Sequence, residues 1–302
     1  MRIARRTGVF GAILVAFAIV ATSCGGSGGD ATTIKVGSTN FTEQEILGEI
    51  YAQALEANGF SVERKFKLGA RDIVEPALES GEIDLYAEYA GTVLEYLNNG
   101  AGEASGDVAA TVDKLRERFK DRGVTVLDAS PAVDTNALVV TQDTASTYGL
   151  TKISDLEPIA GDLVLGGPPE CPDRPFCLIG FENTYGLHFK EFKPLDTGGP
   201  ITVADLENGE IDVGLLFSSD GAIAAKNFVV LDDDKHLQPA DNIVPVVRTA
   251  ADSQKLNDVI NAVSAKITTS ELSQMNKLVN IDKEDASTVA HDWLAANGFI
   301  SG

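Results

Sequence analysis

Leu78-Glu79-Ser80-Gly81-Glu82-Ile83-Asp84-Leu85 returns later in the chain as Leu206-Glu207-Asn208-Gly209-Glu210-Ile211-Asp212-Val213. In both copies the phrase reads as the end of a helix, a glycine stop and the entry into a short strand. The fifth residue after each Asp is aromatic, Tyr89 in the first copy and Phe217 in the second. Small or polar residues follow each of them: Ala90-Gly91-Thr92 and Ser218-Ser219-Asp220-Gly221. Two similar α/β lobes would then each carry an aromatic just beyond the C-terminal end of a strand. That is the edge at which open α/β sheets bind ligands. The competing reading is a common helix–turn–strand phrase that recurs by coincidence; the matched aromatics favour an internal repeat.

Working outward, Thr33-Ile34-Lys35-Val36 reads as a strand and Thr42 with Glu45 as a capping box opening a helix. Ile46, Leu47, Ile50, Ala54 and Leu55 give that helix one apolar stripe, and Asn58-Gly59 ends it. A strand over 61–66, a helix over 72–79 and a strand over 83–86 follow. This alternation predicts an α/β fold with mainly parallel sheets. A length of 302 residues suits two compact units. With 45 Asp plus Glu against 24 Lys plus Arg, the chain is too acidic for a nucleic-acid binder, which must neutralise phosphates. No P-loop, nucleophile elbow or metal motif is present, and His188, His236 and His291 are scattered. The reading is therefore not an enzyme, with no cofactor and no metal.

At the N-terminus, Arg2, Arg5 and Arg6 precede an apolar run from Val9 to Val20, then small residues and Cys24. These are the parts of a secretory signal, and the run is short for a membrane span. Ala21-Thr22-Ser23-Cys24 resembles a bacterial lipobox, which implies lipidation of Cys24; a plain signal peptide with an incidental Cys is the alternative. Residues 25–31 are rich in Gly and Ser and read as a flexible tether. With Cys24 lipidated, Cys171 and Cys177 are left as a pair for a disulfide in an oxidising compartment. Zinc is the alternative, but no His lies near enough to complete a site.

Three ordered stretches carry a family resemblance: Val36-Gly37-Ser38-Thr39-Asn40-Phe41-Thr42-Glu43-Gln44, then Gly81 to Thr92, then Gly209 to Asp212 with Ser219-Asp220-Gly221. Together they resemble the glycine betaine/choline/carnitine-type substrate-binding proteins of ABC importers, over about Thr33 to Trp293. The resemblance implies a type II periplasmic-binding-protein fold, two α/β lobes joined by two crossover strands with a ligand cleft between them. With the signal peptide read at 1–23 and the tether at 24–32, the resemblance implies lobe I at 33–135 and 243–302, and lobe II at 136–242. The implied hinges lie near Asn136-Ala137-Leu138 and Ile243-Val244-Pro245. Partners would be a small betaine- or choline-like solute, an ABC permease and ATPase, and the membrane through the N-terminal lipid. The protein would be a monomer on the extracytoplasmic face of the bacterial cell membrane.

The ligand-binding set it implies is Thr39, Asn40, Tyr89, Thr92, Asn136, Arg174, Phe176, Phe217 and Ser219. A quaternary ammonium has no N–H to donate, so aromatic faces must select it, and Tyr89 and Phe217 are the walls expected from opposite lobes. A carboxylate on the same ligand suits the Thr39-Asn40 loop ahead of a helix or a guanidinium such as Arg174. For each of these the plainer role is core packing or a surface ion pair. Tyr51, Tyr86 and Tyr185 sit in apolar-patterned segments and read as structural. Many family members carry Lys where this chain has Thr39, and Tyr where it has Asn136 or Phe217. A complete tyrosine cage is absent, which points to a bulkier or less cationic relative of glycine betaine. Other readings are a receptor for a polar amino acid or another betaine-like compound, or a sensor with the same fold.

Overall fold

The computed structural model describes residues 33–301, so the signal, the lipobox Cys24 and the tether lie outside the described residues. The chain first lays down β1 (Ile34–Gly37), α1 (Thr42–Ala57), β2 (Val62–Lys65), α2 (Arg71–Ser80) and β3 (Leu85–Tyr89). It continues with α3 (Ala90–Leu97), α4 (Val108–Lys120) and β4 (Val124–Val126). Then come β5 (Asn136–Val140), α5 (Gln142–Tyr148), β6 (Val164–Gly167), α6 (Leu178–Gly180), β7 (Glu191–Pro194) and α7 (Pro200–Asn208). After β8 (Val213–Phe217), α8 (Gly221–Ala225) and β9 (Val229–Val230), the chain returns with β10 (Ile243–Arg248). It ends in α9 (Gln254–Ser264), α10 (Thr269–Asn280) and α11 (Ala286–Ala296).

Two five-stranded sheets result, ordered β2-β1-β3-β10-β4 and β7-β6-β8-β5-β9. The orders match position for position, with the returning strand β10 in the first sheet equivalent to β5 in the second. Sheets are mixed rather than mainly parallel: β10 runs antiparallel to both of its neighbours, as β5 does to its own. The reason is the crossover, which delivers each of these strands from the opposite sheet.

The repeated phrase does the same work in both sheets. Gly81 and Gly209 end α2 and α7 in the left-handed region, at φ 79° and 73°. The Asp84 backbone N–H donates to the Lys35 carbonyl (2.7 Å), and its carboxylate accepts from the Lys35 N–H (3.0 Å). Asp212 repeats this with Val164, at 3.0 Å and 2.8 Å. A Cβ on Gly37 would stand 2.5 Å from the Ile83 side chain, and one on Gly166 would stand 2.6 Å from that of Ile211. Each glycine thus makes room for the isoleucine of its own copy.

Two local expectations need correction. Thr42 and Glu45 form no capping box: Phe41 is the N-cap, the Thr42 hydroxyl bonds Asn280 (2.6 Å) and Glu45 pairs with Lys67 (2.8 Å). Tertiary partners outcompete the local cap. The strand expected over 83–86 begins at Leu85, because Glu82 to Asp84 are used in the turn, and it runs on to Tyr89. The apolar stripe of α1 is fully buried against the C-terminal helices. Tyr51, Tyr86 and Tyr185 are core residues.

The two connections between the sheets run side by side. Asp134 N–H donates to Asp241 O (3.0 Å), Ile243 N–H to Ala132 O (3.1 Å) and Ser130 N–H to Ile243 O (2.8 Å). Beside them, Ser218 N–H donates to Thr135 O (2.9 Å). These bonds set the starts of β5 and β10 opposite the aromatic ends of β8 and β3: Asn136 faces Phe217 and Ile243 faces Tyr89.

Candidate functional site

Between the C-terminal edges of the two sheets lies a cavity of ≈ 430 Å³, with Thr39, Asn40, Tyr89, Thr92, Asn136, Arg174 and Phe217 in its walls. It opens to an outer vestibule of ≈ 720 Å³ that is lined in addition by Phe176, Tyr96 and the Cys171–Cys177 disulfide. Ser219 is not in this cavity. It lines a separate rear pocket of ≈ 700 Å³, and Phe41 and Phe217 border both spaces.

Tyr89 and Phe217 do not meet across empty space. Phe41 lies between them, with ring centroids 6.2 Å from Tyr89 and 6.0 Å from Phe217, so three rings form a loose stack across the gap between the sheets. In sequence Phe41 is one aromatic before a helix and reads as an ordinary anchor. Tyr89 is also a core residue, 7% exposed, and its hydroxyl donates to Glu43 (2.7 Å). Burial, then the nearby Glu43 and Asp134, push that hydroxyl well above the usual tyrosine range, so it stays a donor.

The Glu43 carboxylate gathers groups from distant segments. Its oxygens accept from Tyr89, from the Ser219 hydroxyl (2.5 Å) and from the Asn276 amide (2.7 Å). Ser219 Oγ also lies 2.9 Å from Asp134 Oδ1. One hydroxyl has one proton, so the two contacts of Ser219 cannot both be donations to carboxylates. Burial, then the charge of Glu43, push Asp134 well above its ordinary value. Burial raises Glu43 as well, so the two carboxyls bridged by Ser219 favour holding one proton between them. Ser219, expected at the ligand, instead ties the second sheet's loop to α1 and is 1% exposed.

A second buried cluster forms the cavity floor. Arg71 grips Glu88 with two bonds of 2.8 Å and reaches the Thr92 hydroxyl (2.9 Å). Glu88 also accepts from the Tyr86 hydroxyl (2.8 Å) and the Tyr89 N–H (2.9 Å), so this carboxylate is satisfied on every side. Asp241 accepts from the Thr92 N–H (2.7 Å), and burial is the main cause that raises it to about 7. Thr92 thus positions these groups through both its hydroxyl and its backbone.

Three polar atoms in the walls have no partner among the described residues: the Thr39 hydroxyl and both ends of the Gln44 amide, which is 1% exposed. Gln44 lies beside the Tyr89 hydroxyl without a hydrogen bond of normal geometry. Unpaired buried polar atoms cost about 1–3 kcal/mol each unless something binds them. Asn136 donates to the Phe176 carbonyl (3.0 Å), which fixes the disulfide loop against β5. Arg174, on that loop between the two Cys, is exposed, lines the cavity and has no ion pair among the described residues. Asn40 is exposed at the rim, next to the buried Thr39.

A cleft between two matched sheets, walled by rings and by unpaired polar groups, is a receptor's site rather than a reaction centre. Residues 32–296 match the family described as the substrate binding domain of ABC-type glycine betaine transport systems. The chain belongs to that family. It is 28% identical over 280 residues to the glycine betaine-binding protein YehZ of Escherichia coli (strain K12), covering 89% of this chain and 92% of that one. It is 27% identical over 303 residues to the carnitine transport binding protein OpuCC of Listeria monocytogenes serotype 1/2a (strain 10403S), covering 97% of each. A crystal structure titled as a glycine betaine/carnitine/choline ABC transporter superposes with a TM-score of 0.77 at 26% identity, covering 88% of this chain and 99% of that one. The fold is that of the periplasmic binding proteins, and this family member is the substrate-binding component of an ABC importer, not an enzyme.

Proposed function

We propose that this substrate-binding protein captures a small betaine-type zwitterion or a related organic cation in the ≈ 430 Å³ cavity, and delivers it to a permease and ATPase. The observation that carries the reading is the pair of equivalent aromatics, Tyr89 and Phe217, brought to one cavity from the ends of matched strands. Ring faces attract an organic cation, at about 0.5–2 kcal/mol each. Arg174 is the group for a ligand carboxylate, because it is free, planar and at the mouth. The names of the relatives, glycine betaine-binding and carnitine-binding, agree with this ligand class.

Residues 33–135 with 243–302 would form one lobe and 136–242 the other, closing about the paired crossovers. The protein would act as a monomer, held outside the cytoplasmic membrane by lipid on Cys24. Replacement of Cys24 by Ala should release it from the membrane fraction; undiminished retention would remove the anchor. For the ligand, a thermal-shift screen should cover glycine betaine, choline, carnitine, ectoine and the polar amino acids. A ligand that binds only the folded state must raise the melting temperature. A rise with betaines or choline supports the class, and a rise with amino acids alone transfers the site to another solute.

A further inference from the structure

The cavity floor contains one carboxyl group that the fold does not use up. Asp241 is 3% exposed and lines the cavity beside Tyr89 and Thr92. Its Oδ1 takes the Thr92 N–H, in the first turn of α3, so half of the side chain serves as a helix cap from outside. The neighbouring Gly91 N–H gives its hydrogen bond to the Ala240 carbonyl (3.1 Å) and lies near enough to the Asp241 carboxyl to favour its charged form slightly. Oδ2 accepts no hydrogen bond from the described residues. The nearest positive charge is Arg71, but Arg71 is committed to Glu88 in a two-bond pair. These three groups sum to one uncompensated negative charge when Asp241 is ionised.

Further polar atoms are left over in the same cavity, and two of them, the Gln44 Oε1 and the Thr39 hydroxyl, can accept. The Gln44 amide and the Thr39 hydroxyl are buried and unpartnered, and they line it together with Asp241. Aromatic surface is correspondingly scarce, since Phe41 has Tyr89 on one side and Phe217 on the other. A box that holds a fully methylated nitrogen needs ring faces on several sides and leaves nothing for lone pairs to accept. Here a carboxylate oxygen and an amide oxygen would stay unsatisfied against N-methyl groups.

We infer that Asp241 is a ligand-contacting, specificity-determining residue, and that the cavity prefers a cation carrying N–H groups, such as a protonated amine or amidinium, over a fully N-methylated one. An N–H directed at Oδ2 makes a charge-assisted bond and cancels the floor's excess charge. The raised Asp241 carboxyl, at about 7, agrees with a site that lacks its counter-ion until the ligand arrives. This inference rests on the betaine-class reading above and narrows it.

The test uses two zwitterions that differ by one methyl group, N,N-dimethylglycine and glycine betaine, titrated calorimetrically into the protein and into Asp241→Asn. Asn keeps the oxygen that caps α3, so the variant should fold, and matched melting curves check this. The wild-type protein should bind dimethylglycine about tenfold tighter than betaine, the size of a hydrogen bond to a charged group less one buried methyl. In Asp241→Asn the two affinities should come within about twofold. Equal or tighter betaine binding by the wild type would overturn the inference and leave the betaine-class reading standing. A dimethylglycine preference undiminished in Asp241→Asn would take the role from Asp241. Binding of neither ligand at millimolar concentration would sink the betaine-class reading itself, and this inference with it.

Discussion

Tyr89 and Phe217 end equivalent strands, follow equivalent Asp residues and line one cavity, yet they are held in different ways. Tyr89 is buried among core residues, its hydroxyl is bound to Glu43, and its backbone N–H is bound to Glu88. Phe217 is half-buried and, among the described residues, has only the Phe41 ring stacked against it. The Asp residues differ likewise. Asp84 holds Lys35 and in addition the Arg248 guanidinium (2.8 and 2.5 Å), whereas Asp212 holds Val164 alone. One sequence phrase thus builds two copies of a frame, and unrelated residues added to one copy make it the rigid wall.

The largest effect that would sharpen this contrast is expected at the Asp pair. Asp84→Ala leaves Arg248 without its carboxylate and should cost ~3–5 kcal/mol in urea denaturation. Asp212→Ala loses one hydrogen bond and should cost only ~1–3 kcal/mol. Equal costs would mean that the two copies are equally braced.

Next come the aromatics. Tyr89→Ala opens the core and should destabilise by ~3–5 kcal/mol as well as removing binding, so it is a poor probe of the ligand alone. Tyr89→Phe keeps the ring and should cost ~1–2 kcal/mol through the lost bond to Glu43. Phe217→Ala should cost about 1 kcal/mol of stability yet weaken ligand binding by ~1–3 kcal/mol. If Phe217→Ala proves as destabilising as Tyr89→Ala, the second copy is as rigid as the first.

Protonation gives a third, smaller effect, because burial raises carboxyls at the crossovers and, to about 6, Asp220 in the loop after Phe217. Asp134 is raised well above its ordinary value and Asp241 to about 7, with burial the first cause of both. The charged groups around Asp241 are Arg71 and Glu88, with Asp134 on the adjoining crossover. A folded state that keeps protons the unfolded chain has released is favoured at low pH and loses stability as pH rises. The ligand-free protein should therefore lose ~2 kcal/mol between pH 5 and pH 8, and Asp241→Asn should lose less. A flat profile across that window would show these carboxyls to be ordinary.

Arg174 marks the smallest effect on the fold. It is exposed at the cavity mouth and unpaired among the described residues, so Arg174→Ala should leave stability within about 0.5 kcal/mol of wild type. Affinity for a carboxylate-bearing betaine should fall about tenfold, while choline, which has no carboxylate, should be unaffected. Equal losses for both ligands would place Arg174 outside the carboxylate subsite.

Much of the frame was legible because it is local. A helix stop, an Asp and an aromatic at fixed spacing repeat in sequence as they do in space, and the glycines of β1 and β6 answer the isoleucines of the two copies. What was not legible is what comes together from afar. Glu43, Asp134, Ser219 and Asn276 come from four separate segments, and each alone reads as an ordinary polar residue of a helix or loop. Ser219 was accordingly placed at the ligand when it belongs to this buried network. Arg71 begins α2, Gln44 lies in the first turn of α1 and Asp241 precedes β10, and nothing in their local sequence marks them as cavity residues. Their burial follows from the docking of the two sheets, which no spacing rule reports.

A crystal structure of the protein with the strongest ligand from the thermal-shift screen tests the central claim most directly. The account predicts ligand density in the cavity between the two sheets, in contact with Tyr89 and Phe217 and with a polar group of the ligand facing Asp241. Density in the rear pocket beside Asn276, or on the protein surface, would contradict it.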